Sequence, residues 1–82
     1  MTKEDLTTWF VEKVAEESGL EISQIKPNTT LSNFNLDSLS TVTIAYDLEM
    51  ELGVDIDPTL FYEYDTIEKL VEKISTDIIP IS

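Results

Sequence analysis

The stretch Phe34-Asn35-Leu36-Asp37-Ser38-Leu39 decides the fold, because it joins two kinds of sequence. Upstream, residues 20–36 hold Leu20, Ile22, Ile25, Leu31 and Phe34 without a sustained period, punctuated by Pro27, Asn28, Asn33 and Asn35. This is a long loop, and its scattered apolar side chains predict that it packs down on a core. Downstream, apolar residues recur at helical spacing. Val42, Ala45, Leu48 and Leu52 fall on one stripe, with Leu39 and Tyr46 at its edge or outside it. Asp37 or Ser38 caps this helix and Gly53 ends it. Asp47, Glu49 and Glu51 make its second half acidic.

The flanks supply more helices. Thr2 to Ser18 carries Leu6, Trp9, Phe10 and Val14 at helical spacing, which predicts core aromatics on an amphipathic helix. Thr2 and Asp5 have the spacing of a capping box, and Gly19 follows the last turn. After Gly53, residues 54–57 are a short connector, and Pro58 suits the first turn of a helix. Thr59 to Tyr64 predicts one or two turns anchored by Phe61, Tyr62 and Tyr64. Asp65 or Thr66 caps a last helix, with Asp65 and Glu68 at capping-box spacing and Ile67, Leu70, Val71 and Ile74 as its buried stripe. The tail, residues 77–82, is expected to fray. No alternating strand pattern occurs. The expectation is an all-α fold: a small four-helix bundle of three main helices and one short one, with a long loop after the first. Residues 1–82 form one domain in this reading.

Composition narrows the chemistry. Five lysines, no arginine and 17 acidic residues give a net charge of −12. Such a chain repels phosphate backbones and anionic lipid, so nucleic acid and membrane surfaces are poor partners, and basic protein surfaces are good ones. There is no Cys and no His. Disulfides, thiolate nucleophiles, the commonest general base and the usual zinc ligands are therefore missing. Asp55, Asp57 and Thr59 have calcium-loop spacing, but Leu60 and Thr66 occupy the positions that need Gly and Glu. No leader-like apolar segment follows Met1, so a cytoplasmic protein is expected. A monomer is expected too, and the start at Met1 fits a free-standing protein as well as a piece cut from a larger one.

Ser38 is the residue with a chemical opportunity. It lies at a helix start, where unpaired N–H groups and the helix dipole stabilise an attached phosphate. With no base near it in sequence and no His, it is no self-activated nucleophile. It is a candidate for modification by another enzyme.

Leu36-Asp37-Ser38-Leu39, opening a helix that runs into Leu48-Glu49-Met50-Glu51-Leu52-Gly53, resembles the acyl carrier proteins. The order of helices resembles that family over almost the whole chain. Pro58-Thr59-Leu60-Phe61-Tyr62-Glu63-Tyr64 followed by Asp65-Thr66-Ile67 resembles carriers of polyketide synthases more than those of fatty-acid synthesis. The resemblance implies that Ser38 carries 4′-phosphopantetheine, transferred from coenzyme A by a phosphopantetheinyl transferase, with Asp37 as motif and cap residue. The arm would hold an acyl chain as a thioester for polyketide, fatty-acid or specialised lipid synthesis. The protein itself would catalyse nothing. Leu39, Tyr46, Asp47, Glu49 and Glu51 would face partners: acyltransferase, ketosynthase or related enzymes with basic docking patches. Four positions depart from the family pattern: Asn35 where Gly is usual, Ser40 and Thr43 where fatty-acid carriers are acidic, and Asp65 where polyketide carriers often have Pro. The alternatives are a peptidyl or aminoacyl carrier of nonribosomal synthesis, and an unmodified acidic interaction module.

Overall fold

The structure, a computed structural model, describes residues 2–79. Four α-helices follow one another: α1 (Lys3–Ser18), α2 (Ser38–Leu52), α3 (Leu60–Glu63) and α4 (Ile67–Lys73). Among the described residues there is no strand; one isolated antiparallel bridge joins Thr30 to Thr66. The all-α bundle expected from the sequence is the observed one.

Local chemistry explains the helix ends. Asp5 N–H donates to Thr2 Oγ1 at 3.1 Å and Thr2 N–H donates back to Asp5 Oδ2 at 3.1 Å, so two of the open donors at the start of α1 are satisfied. Gly19 and Gly53 end α1 and α2 at φ 78° and 70°, left-handed values that glycine adopts without a Cβ penalty. Thr66, rather than Asp65, caps α4: Lys69 N–H donates to Thr66 Oγ1 at 3.1 Å. The Asp65–Glu68 box does not form; Asp65 pairs with Lys69 Nζ at 3.2 Å.

The core gathers Leu6, Phe10 and Val14 from α1, Ile44, Ala45 and Leu48 from α2, Phe61 from α3, and Ile67, Leu70, Val71 and Ile74 from α4 and the turn after it. Phe10 meets Phe61 edge-on, with ring centroids 6.2 Å apart, which ties α1 to α3. Two expectations are corrected here. Val42 is exposed, and Ile44 takes the buried place on α2. Residues 41, 44, 45, 48 and 52 share one face at about 100° per residue, and Val42 lies a full residue's turn from its centre. Trp9 is only half-buried while Phe10 is fully buried.

The loop between α1 and α2 packs on the core as expected, through buried Ile25 and Phe34, although Ile22 stays exposed. It contains two 3₁₀ turns, Ile22–Gln24 and Leu31–Phe34. Leu31 N–H donates to Asp65 O at 2.7 Å and Glu68 N–H donates to Pro27 O at 2.9 Å, tying the loop to the start of α4. The tail does not fray at 77: a π-helical turn, Ile74–Ile78, continues α4, with Ile74 and Ser75 buried and Lys73 paired to Asp77 at 2.6 Å. The part of the expected fraying at 80–82 lies outside the described residues.

Candidate functional site

Three features place Ser38. Asn35 adopts the left-handed conformation, φ 62° and ψ 31°, and is the non-glycine residue at positive φ among those described. That reversal lets the chain leave buried Phe34 and present Asp37 in an extended conformation, φ −99° and ψ −179°. Asp37 then caps α2: Ser40 N–H donates to Asp37 Oδ1 at 2.8 Å and Thr41 N–H donates to Asp37 O at 3.1 Å. The Ser40 N–H holds the Asp37 carboxyl below the ordinary carboxylate range, with the Ser40 hydroxyl adding to it. Ser38 is the first helical residue and is exposed. Its N–H and that of Leu39 belong to the first turn, where helix geometry provides no intrahelical acceptor.

Ser38 lines an open cleft of about 320 Å³ with Thr30, Leu31, Leu36, Thr41, Phe61 and Tyr62. Behind it, where Leu31, Leu36, Thr41 and Phe61 turn inward, the remaining void is about 10 Å³, the size of one water. The cleft is thus a surface feature bounded by a closed core. Tyr62 is exposed at 64% and stands on the cleft wall rather than anchoring α3, which Phe61 does.

The five residues expected to face partners separate into two groups. Leu39, Tyr46 and Glu51 are exposed, with Leu39 at 72% and Tyr46 at 61%. Asp47 accepts from Lys13 Nζ at 2.9 Å, bridging α2 to α1. Glu49 Oε2 accepts the backbone N–H of Ile56 at 3.0 Å, which pins the connector after α2 while the Ile56 side chain enters the core. Sequence reasoning missed this inward role of Glu49. The signal that could have found it is a carboxylate four residues before the helix-ending Gly53, within reach of a connector with no helical partners of its own. It also missed Met50, which is 70% exposed and continues the outer face of Leu39, Val42 and Tyr46. No group of three or more carboxylates, Cys or His able to hold a metal occurs among the described residues. No described helix is long and apolar enough to cross a membrane.

Fold and site define a class: a small all-α bundle that presents an exposed serine at a capped helix start, beside an open cleft. The comparisons with known proteins give the class its family. Residues 8–74 match the family described as "Phosphopantetheine attachment site", and the chain belongs to it. The group it bears is therefore phosphopantetheine, and the chain is a carrier protein, not an enzyme. It is 38% identical over 60 residues to the bikaverin polyketide synthase bik1 of Gibberella fujikuroi, an alignment covering 73% of this chain and 3% of that protein. It is 34% identical over 71 residues to a non-reducing polyketide synthase of Pseudevernia furfuracea, covering 82% of this chain and 3% of that one. The chain thus spans a small part of the length of these relatives. Among solved structures, a free-standing peptidyl carrier protein of Acinetobacter baumannii superposes with a TM-score of 0.88 at 27% identity, covering 94% of this chain and 96% of that one. The acyl carrier protein Asl1650 of Anabaena, described as having a variant phosphopantetheinylation-site sequence, shares the fold, with a TM-score of 0.82 at 24% identity over 93% and 86% of the two chains.

Proposed function

We propose that Ser38 Oγ is the atom esterified by 4′-phosphopantetheine from coenzyme A, and that the arm's thiol carries polyketide-type acyl intermediates as thioesters. The observation that carries this reading is the placement of Ser38: exposed, first in α2, beside capping Asp37 and the open cleft. A phosphodiester there lies against the unpaired N–H groups and the positive end of the helix dipole. A phosphopantetheinyl transferase supplies the base that this chain lacks. Similarity to polyketide synthases supports the choice of cargo and of partners, such as a ketosynthase or an acyltransferase. Leu39, Tyr46 and Glu51 are the proposed contacts; Asp47 and Glu49 add charge to that helix while holding the fold. The net charge of −12 speeds encounter with basic docking patches in a salt-dependent way.

Intact mass after incubation with coenzyme A, magnesium and a broad-specificity transferase tests the assignment. Wild type gains one phosphopantetheine and Ser38→Ala gains none. Equal modification of the two would refute Ser38. If wild type gains nothing while a control carrier is modified, Asn35→Gly separates a transferase that rejects Asn35 from a fold retained for binding alone. The similarity to a peptidyl carrier favours a second reading, in which the thioester holds an aminoacyl or peptidyl group. Mass spectrometry of the thioester cargo on protein from its own cells decides between the two.

A further inference from the structure

The cleft beside Ser38 has walls whose spacing is fixed. Its loop wall, Thr30 and Leu31, is tied to the start of α4: Leu31 N–H donates to Asp65 O at 2.7 Å, and Thr30 bridges to Thr66. Its α3 wall, Phe61 and Tyr62, runs into the same two residues through Tyr64 and is held to α1 by the contact between Phe61 and Phe10. Neither wall can swing outward without breaking backbone hydrogen bonds or parting two core rings. The floor is shut as well. Leu31, Leu36, Thr41 and Phe61 meet over buried Phe10, Ile44 and Leu70, and the space left among them is about 10 Å³. A void of that size holds one water at most, and a packed core resists the insertion of extra methylenes. An acyl chain has no way in.

The lining of the cleft is chemically mixed. Leu31, Leu36 and Phe61 offer apolar surface, while Thr30, Ser32 and Tyr62 offer hydroxyls that are half-buried or exposed. The two carboxylates of the lining are both engaged, Asp37 by the Ser40 N–H and Asp65 by Lys69 Nζ. Such a lining suits a neutral group that carries methyls and hydrogen-bonding atoms close together.

Length decides which group this is. A phosphopantetheine arm runs about fourteen bonds from the serine oxygen to its sulfur, roughly 17 Å when extended. The cleft, at about 320 Å³, is small for a ligand site and roughly 8 Å across if compact. Ser38 itself lines it, so an arm attached there enters at the phosphate and leaves near its midpoint. For the acyl group to lie in the cleft instead, the arm would have to double back and share the space. The half of the arm next to the phosphate holds a quaternary carbon with two methyls, then a hydroxyl, then an amide. It is neutral and has both kinds of atom that the lining accepts.

We propose that the cleft is a cradle for the arm and not for its cargo, an inference that rests on Ser38 being the attachment residue. Leu36 and Phe61 receive the two methyls, and the hydroxyls of Thr30, Ser32 and Tyr62 serve the hydroxyl and first amide of the arm. The thioester and its acyl group stay outside the fold, whatever their length, so this domain sets no limit on cargo size.

The test compares backbone amide shifts by nuclear magnetic resonance in the unmodified protein and in protein loaded from coenzyme A, hexanoyl-coenzyme A and dodecanoyl-coenzyme A, each form verified by intact mass. Attachment of the arm should shift the amides of Leu31, Leu36, Phe61 and Tyr62, well beyond the chain neighbours of Ser38. Lengthening the acyl group should add nothing at Phe10, Ile44 and Leu70. Tyr62→Ala removes an exposed side chain from the cleft wall and leaves the core intact, and it should shrink the arm-induced shifts at Leu36 and Phe61. Shifts confined to the neighbours of Ser38 overturn the cradle, as do arm-induced shifts that Tyr62→Ala leaves undiminished. Shifts at Phe10, Ile44 and Leu70 that grow from hexanoyl to dodecanoyl overturn it too, because they put the cargo inside the core. Loading of Ser38→Ala would overturn the attachment reading and the cradle with it, whereas loaded wild type without the expected shifts overturns the cradle alone.

Discussion

The turn at Asn35 links fold stability to presentation of the serine, and its substitution has a calculable cost. An ordinary L-residue in the left-handed region costs about 1–2 kcal/mol, while asparagine tolerates it better. Asn35 is at φ 62° and no hydrogen bond involving its side chain occurs among the described residues, so backbone conformation is the main thing a substitution changes. Asn35→Ala should therefore destabilise by about 1 kcal/mol, and Asn35→Val, which is β-branched, by about 2 kcal/mol. Asn35→Gly removes the remaining strain but adds freedom to the unfolded chain, so the two terms should cancel to within about 0.5 kcal/mol. With an unfolding entropy of about 2.1 cal/mol/K per residue over 82 residues, each kcal/mol is worth roughly 6 °C in Tm. Thermal unfolding by far-UV circular dichroism should rank the variants as Gly near wild type, then Ala, then Val. Equal melting of the Gly and Ala variants would refute the claim that the left-handed turn governs this segment. A Gly variant more stable than wild type by the full Ala increment would refute the claim that asparagine suits it.

Other outcomes follow from the same geometry. Phe61→Ala empties the contact with Phe10 and opens the cleft into the core, at about 3–5 kcal/mol; a domain of this size has little more to lose, and urea titration should find it largely unfolded or nearly so. Glu49→Ala strands the Ile56 N–H and should lower Tm more than Glu49→Gln, which keeps an acceptor; calorimetry of the pair checks this. The charge of −12 repels itself, so Tm should rise between low and moderate salt, and a flat profile would contradict it. Acid should act in two stages, read by melting at successive pH values. Modest acidification from neutral relieves repulsion and stabilises. Asp37 and Asp57, held below their ordinary 3.8 by the N–H groups of Ser40 and Thr59, contribute stability that is complete above 3.8 and lost as pH falls through their lower folded values. At the alkaline end, Lys13 and Lys73 are raised above 10.5 by Asp47 and Asp77, so their contribution is complete below 10.5 and lost as pH climbs past their folded values.

What could be read from the sequence alone was governed by contacts of three or four residues. The Thr2–Asp5 box, the Asp37 cap, the glycine ends of α1 and α2 and the exposed serine at a helix start all depend on bonds closed within one turn, so their spacing is visible in the chain. The placement of Ser38 as an exposed hydroxyl beside the Asp37 cap was legible for the same reason. Tertiary packing decided the rest. Ile44 rather than Val42 faces inward because α1 packs on one side of α2, and apolar character does not say which side. Thr66 rather than Asp65 caps α4 because the Asp65 carbonyl is engaged by Leu31, thirty-four residues earlier in the chain. Glu49 turns to Ile56 and Asp47 to Lys13 because the folded chain brings those donors near, and both carboxylates would otherwise read as solvent-facing charge. The cleft beside Ser38 exists only where the 30–36 loop, α2 and α3 converge. Local hydrogen bonding leaves a short-range signature in sequence; the choice of which face is buried depends on neighbours far along the chain, and only the assembled fold supplies them.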